Sequence, residues 1–60
     1  MPSTMGEIYT RMCRKYPYIA ENCDDWRPLP KWRLQLWMKN GDILHYSYIL
    51  DKFEEGEDEY

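Results

Sequence analysis

The sequence predicts an α+β fold: an N-terminal helix packed on an antiparallel β-hairpin (αββ), in one small domain with the capacity to dimerise. Three observations predict it. Asn40-Gly41 separates two runs of strand-forming residues, Lys31–Lys39 and Asp42–Leu50. A capped apolar stripe at helical spacing precedes them. Sixty residues are too few for more than one hydrophobic core.

The helix comes first. Thr4-Met5-Gly6-Glu7 has the spacing of a capping box, in which the Thr4 hydroxyl accepts from the third helical amide and Glu7 reaches back. Met5, Ile8, Tyr9, Met12 and Tyr16 then recur on one face. Glu7 and Arg11 are i,i+4 partners in the favourable order, and Arg14 and Lys15 suit the negative end of the helix dipole. Pro17 pushes Tyr16 out of the α region, so the helix is predicted over Met5–Lys15. Pro17 suits a first helical position, which predicts one or two further turns toward Cys23. Asp24-Asp25 and Arg27-Pro28-Leu29-Pro30 read as a stiff extended connector, with Trp26 tucked against the core.

The hairpin organises the rest. A two-residue Asn-Gly loop favours a type I′ turn, because Gly and Asn tolerate positive φ. That loop pairs Lys39 with Asp42, Met38 with Ile43, Trp37 with Leu44, Leu36 with His45 and Gln35 with Tyr46. One face then holds Trp32, Leu34, Leu36, Met38, Ile43, His45, Ser47 and Ile49. It is nearly all apolar and is predicted to meet Met5, Ile8 and Met12. The other face holds Lys31, Arg33, Gln35, Trp37, Lys39, Asp42, Leu44, Tyr46, Tyr48 and Leu50. It is richer in large apolar groups than solvent requires. Both hairpin edges are open in this arrangement, which favours homodimerisation.

Charge is unevenly distributed. Residues 1–50 carry seven cations against five anions, and residues 51–60 carry one cation against six anions, within a net charge of −3. Glu54 to Tyr60 has no apolar periodicity and is expected to be a disordered acidic tail behind a domain of residues 1–53. No apolar run approaches the roughly 18 residues of a membrane span. The N-terminus lacks a basic and an apolar region of the secretory kind. Two cysteines are too few for a disulfide scaffold, so a reducing, cytoplasmic setting is expected.

Catalytic and metal chemistry find little support. Cys13, Cys23 and His45 are the only soft ligands, and their spacing matches no closed zinc site. Cys13, His45 and Asp42 could be drawn as a nucleophile, base and orienter, but nothing flanking them resembles an oxyanion loop. The expectation is therefore a protein that is not an enzyme and uses no cofactor or metal.

The remaining signal is binding. Trp37, Tyr46 and Tyr48 interleaved with Arg33 and Lys31 are residue types enriched at interface hot spots. Glu54, Glu55, Glu57, Asp58 and Glu59 can mimic phosphates toward a basic groove. These residues predict a small protein-binding protein, of the stoichiometric inhibitor type that viruses and mobile elements carry. Its target would be a larger host protein that processes nucleic acid. One alternative is a nucleic-acid-binding regulator, with bases stacked on the hairpin aromatics and phosphates on its cations. Another is a structural subunit ordered by homodimerisation.

Overall fold

A computed structural model describes residues 4–57. Two helices, α1 (Met5–Lys15) and α2 (Pro17–Asn22), precede four strands. These are β1 (Cys23–Leu29), β2 (Arg33–Met38), β3 (Ile43–Ser47) and β4 (Lys52–Glu55). The strands form one antiparallel meander in the order β1-β2-β3-β4. The α+β class holds, with the expected hairpin as the middle of a sheet twice as wide.

Helix α1 forms for the reasons the sequence offers. Thr4 is extended, and its side-chain oxygen accepts from Glu7 N–H at 3.2 Å. At the other end Tyr16 leaves the helical region, while its N–H still donates to Met12 O at 2.8 Å. Pro17 then starts α2 at its first position. Ile8 and Met12 are buried against Leu34, Leu36, Met38 and Tyr46, which together make the core. Full burial of such side chains stabilises by about 1.5–3 kcal/mol each.

The connector is a strand. Residues 23–29 pair along β2 from Cys23↔Met38 to Leu29↔Arg33, with an irregularity between Cys23 and Asp25. Pro28 is tolerated because β1 is an edge, where a missing donor costs no ladder bond. Trp26 tucks inward and stacks on Tyr9, rings 4.8 Å apart and 10° from parallel. The first tail residues are also a strand: β4 covers Glu54 and Glu55 and pairs with β3 from Ser47↔Lys52 to Leu44↔Glu55. Both hairpin edges are thus occupied. The new edges carry Pro28, Asp25 and Arg27 on one side and Lys52, Glu54 and Glu55 on the other, which discourages edge-to-edge pairing.

The register differs by one residue from the expectation, and this reverses the second strand. Leu36 faces Leu44, Gln35 faces His45 and Leu34 faces Tyr46. The loop has three residues, Lys39 to Gly41: Met38 N–H donates to Asp42 O at 2.8 Å and Gly41 N–H to Met38 O at 3.0 Å. Gly41 alone takes the left-handed conformation, at φ 94°. Asn40 instead accepts from Asp42 N–H through its side chain at 2.9 Å, the usual Asx turn. A one-residue slip exchanges every side chain between faces. Leu44 and Tyr46 therefore join Leu34, Leu36 and Met38 under the helix, while Ile43, His45 and Ser47 move to the far face. Burying Leu44 and Tyr46 in exchange for Ile43, His45 and Ser47 is the apolar reason for this register.

The far face holds Asp25, Trp37 and Ile43 in one row. Arg27, Gln35, His45 and Glu54 form the next, and Leu29, Arg33, Ser47 and Lys52 the third. Gln35, at its centre, is fully buried. After β4 the chain continues beside β3, with Gly56 N–H donating to Ile43 O at 3.0 Å. The His45 ring lies against Gly56: a Cβ there would sit 2.5 Å from it, so any larger residue would displace the ring. His45 Nε2 lies 3.1 Å from the Glu57 carbonyl.

Candidate protein-binding surface

Two turns meet at one end of the sheet. The β1–β2 turn spans Pro30, Lys31 and Trp32, and the β3–β4 turn spans Tyr48 to Asp51. Tyr48 N–H donates to Trp32 O at 3.0 Å and joins them. Ile49 and Leu50 project from this end at 66% and 63% exposure, whereas Trp32 and Tyr48 are half-buried against the core. Large apolar side chains this exposed, side by side, are what a binding surface presents.

The backbone of this end is strained. The non-glycine residues with positive φ among those described are Lys31 (64°), Trp32 (58°) and Asp51 (52°). All three lie in these two turns. Left-handed geometry costs roughly 1–2 kcal/mol at a non-glycine residue, and for a bulky aromatic it is a genuine outlier. Such strain persists only where surrounding contacts enforce it.

The enforcing contacts converge on Asp51. Its carboxylate accepts from Tyr46 OH at 2.8 Å and Tyr16 OH at 2.9 Å, and Lys15 Nζ completes the set as a salt bridge. Tyr16, Tyr46 and Phe53 form an aromatic cluster beneath, with ring centroids 4.8–6.3 Å apart. The β3–β4 turn is thereby fastened to the end of α1. The bond from Lys15, followed by those from Tyr46 and Tyr16, holds the Asp51 carboxyl below the usual carboxylate range. Burial first and the Asp51 bond second push the Tyr46 phenol well above its ordinary value. On the other turn, Arg33 Nε donates to Pro30 O at 3.0 Å. Ser47 Oγ accepts from Leu50 N–H at 3.3 Å. Exposed Lys31 and Lys52 give the apolar tip a cationic rim.

The structure brings together three of the residues the sequence nominates, Lys31, Arg33 and Tyr48, at this end. It separates the others. Tyr46, expected on the surface, is 4% exposed, because the register turns it into the core. Trp37 is half-buried on the far face, without Tyr46 beside it. Lys39 lies in the β2–β3 loop at the opposite end of the sheet. The expected platform of alternating aromatics and cations is therefore not assembled on one face. Glu54, Glu55 and Glu57 are exposed on or beyond β4. Asp58 and Glu59 lie outside the described residues. Ile49, expected on the buried face, is exposed, and Leu50, expected on the mixed face, lies beside it in a turn; the turn itself was missed, since Tyr48-Ile49-Leu50 reads as uninterrupted strand. The overlooked signal is Asp51, a residue tolerant of left-handed geometry, followed by the polar/apolar alternation Lys52-Phe53-Glu54.

Cys13 lies on α1, on the helix side of the sheet, and His45 lies on the far side, so the nucleophile–base pair drawn from sequence is not formed. Among the described residues no group of three or more His, Cys, Asp or Glu is placed to hold a metal ion. No described helix is long and apolar enough to cross a membrane. Comparison with protein-family models, with curated proteins and with solved structures gives no match.

Proposed function

We propose that this chain is a non-enzymatic binding protein that inserts the Lys31–Trp32 and Tyr48–Leu50 end of its sheet into an apolar, acid-rimmed cleft of a larger protein, blocking that cleft stoichiometrically. The observation that carries the reading is the exposure of Ile49 and Leu50 on a turn held rigid by the Asp51 bonds. A preordered loop loses little entropy on binding, so more of its contact energy appears as affinity. The tip is convex. A self-complementary dimer face needs roughly 800 Å² per partner, more than two turns offer, whereas a cleft accepts a protruding turn.

A second reading is favoured by Glu54, Glu55 and Glu57, which β4 and the segment after it present as an acidic edge. Such an edge suits a basic, nucleic-acid-binding groove, and its attraction weakens with salt. Asp51 takes no part in that mimicry, being engaged by Lys15, Tyr16 and Tyr46.

Quantitative capture from native extract tests both, using the tagged wild type, an Ile49→Asp/Leu50→Asp variant and a Glu54→Gln/Glu55→Gln/Glu57→Gln variant. The proposal expects a stoichiometric protein retained by the wild type and the glutamine variant and lost by the aspartate variant, at low and high salt alike. Loss with the glutamine variant only, and at high salt, establishes the acidic edge in its place. Retention by the aspartate variant, with its fold intact by circular dichroism, overturns the apolar tip.

A further inference from the structure

The chain holds one Asn-Gly pair, Asn40-Gly41, and the β2–β3 loop exposes both residues. An asparagine followed by glycine can close on itself, because glycine has no side chain to keep its nitrogen from the asparagine Cγ. At Gly41 that flank is open: an added Cβ would meet nothing within 4 Å. Every group the closure needs is nevertheless engaged. Gly41 N–H, which carries the attacking nitrogen, donates to Met38 O at 3.0 Å. The Asn40 side-chain oxygen accepts from Asp42 N–H at 2.9 Å, and its amide nitrogen donates to Asp42 Oδ2 at 3.1 Å. The loop is itself fastened on two sides. Met38 N–H donates to Asp42 O at 2.8 Å, and Lys39 N–H donates to Asn22 O, at the end of α2, at 2.7 Å.

We infer that Asn40 is a deamidation site that the folded loop, through Asp42, holds closed, so that water modifies the chain there only when the loop opens. In the open chain the Gly41 nitrogen gives up its proton and attacks Asn40 Cγ. A bond forms between them, the Cγ–Nδ2 bond breaks, and Nδ2 takes up a proton and leaves as ammonia. One water opens the remaining five-membered imide at either carbonyl. The product is aspartate or, with the backbone routed through the former side chain, isoaspartate. One water is consumed, one ammonia is released, and nothing is oxidised or reduced.

The closed loop opposes the first step. Bringing the Gly41 nitrogen onto Cγ breaks its bond to Met38 and turns the Asn40 side chain out of both bonds to Asp42. Attack needs the reacting atoms close and aligned, and groups held elsewhere reach that arrangement only by local opening. The modified chain cannot rebuild the same loop, because the Nδ2 donor is gone and a second carboxylate faces Asp42. Each opening therefore risks a lasting mark at position 40. The inference is independent of the binding proposal, because Asn40 lies at the opposite end of the sheet from the tip.

The test incubates the full chain at pH 8 in buffer and in urea, and follows the tryptic peptide of residues 40–52. Chromatography with mass spectrometry distinguishes asparagine, aspartate and isoaspartate at position 40. Deamidation is expected to be at least ~10-fold slower in the folded chain than in urea, since opening gives up the bonds from Gly41, Asn40 and Asp42. Asp42→Ala, checked for fold by circular dichroism, removes the acceptor of the Asn40 amide. It is expected to react about 5-fold faster than wild type in buffer, the worth of one hydrogen bond, and at the wild-type rate in urea. Asp42→Asn keeps an acceptor oxygen and is expected to stay near the wild-type rate. A folded wild type that deamidates as fast as it does in urea overturns the inference, whether or not the variants fold. So does a folded Asp42→Ala chain no faster than wild type, or an Asp42→Asn chain as fast as Asp42→Ala.

Discussion

Replacement of Tyr46 separates the observed register from the one a two-residue loop would give. The ring is 4% exposed, lies 4.8 Å from Phe53 and 6.3 Å from Tyr16, and donates its hydroxyl to Asp51 at 2.8 Å. Deleting a buried aromatic side chain costs about 3–5 kcal/mol. A domain of this size has a total stability of about 3–9 kcal/mol, at 0.05–0.15 kcal/mol per residue. Tyr46→Ala is therefore expected to be largely unfolded without denaturant. Tyr46→Phe keeps the ring and removes one hydrogen bond to a charged acceptor, worth about 1.5–3 kcal/mol. Asp51 keeps Tyr16 and Lys15, so the loss belongs near 1.5 kcal/mol, or roughly 6–12 °C in Tm. Urea titration followed by tryptophan fluorescence measures both, with His45→Ala as the comparison. His45 sits on the far face, where truncation is expected to cost less than Tyr46→Ala. A Tyr46→Ala protein within about 1 kcal/mol of wild type, alongside a His45→Ala protein that unfolds, would place His45 in the core and refute the register.

Three further perturbations probe the strained tip, the Gly56–His45 contact and the Asp51 hub. Lys31→Gly removes left-handed strain at an exposed side chain and is expected to stabilise by roughly 0.5–1 kcal/mol after the flexibility of glycine in the unfolded chain is counted; a lower urea midpoint contradicts it. Gly56→Ala drives a methyl into the His45 ring and is expected to cost about 1 kcal/mol and to shift the His45 and Glu57 resonances, while an unchanged spectrum contradicts the contact. Asp51 has a depressed carboxyl in the folded state, so its contribution is present above the unfolded value of about 3.9 and is lost as pH falls through the folded one. Asp51→Asn should flatten that acid limb of the urea midpoint, and an unaltered limb places the effect elsewhere. Lys15, raised by the same bond, has the opposite sign, and its contribution fades only as pH rises above 10.5.

The parts legible in the sequence were those written in local residues. Thr4, Pro17 and the Met5–Met12 stripe set both helices, since a cap, a fixed φ and a 3.6-residue period act within one or two turns. The strand β2 and its apolar face, Leu34, Leu36 and Met38, were legible for the same reason. The register was not, because Asn40-Gly41 fits both a two-residue type I′ loop and a three-residue loop with Gly41 as a left-handed bulge. The choice depends on whether Tyr46 or His45 enters the core, and that is decided by Asp51 and Phe53 beyond the next turn and by Tyr16 from the end of α1. Strands β1 and β4 were obscured by Pro28 and by clustered acids, both of which belong at sheet edges. Of the binding residues nominated, Lys31, Arg33 and Tyr48 fall together because neighbouring turns of a meander share an end. The turn that exposes Ile49 and Leu50 was not legible because it holds its left-handed geometry through Asp51 rather than through a glycine.

The central claim is that the apolar tip meets a protein partner. A photoreactive leucine analogue at Leu50, which keeps the side chain's shape, tests it most directly when compared with a photoreactive group at Lys39 in the loop at the other end. Irradiation in native extract is predicted to join position 50, and not position 39, to one larger protein, with the product suppressed by excess untagged wild type. Cross-links from position 39 alone, or equal unsuppressed labelling from both positions, would contradict it.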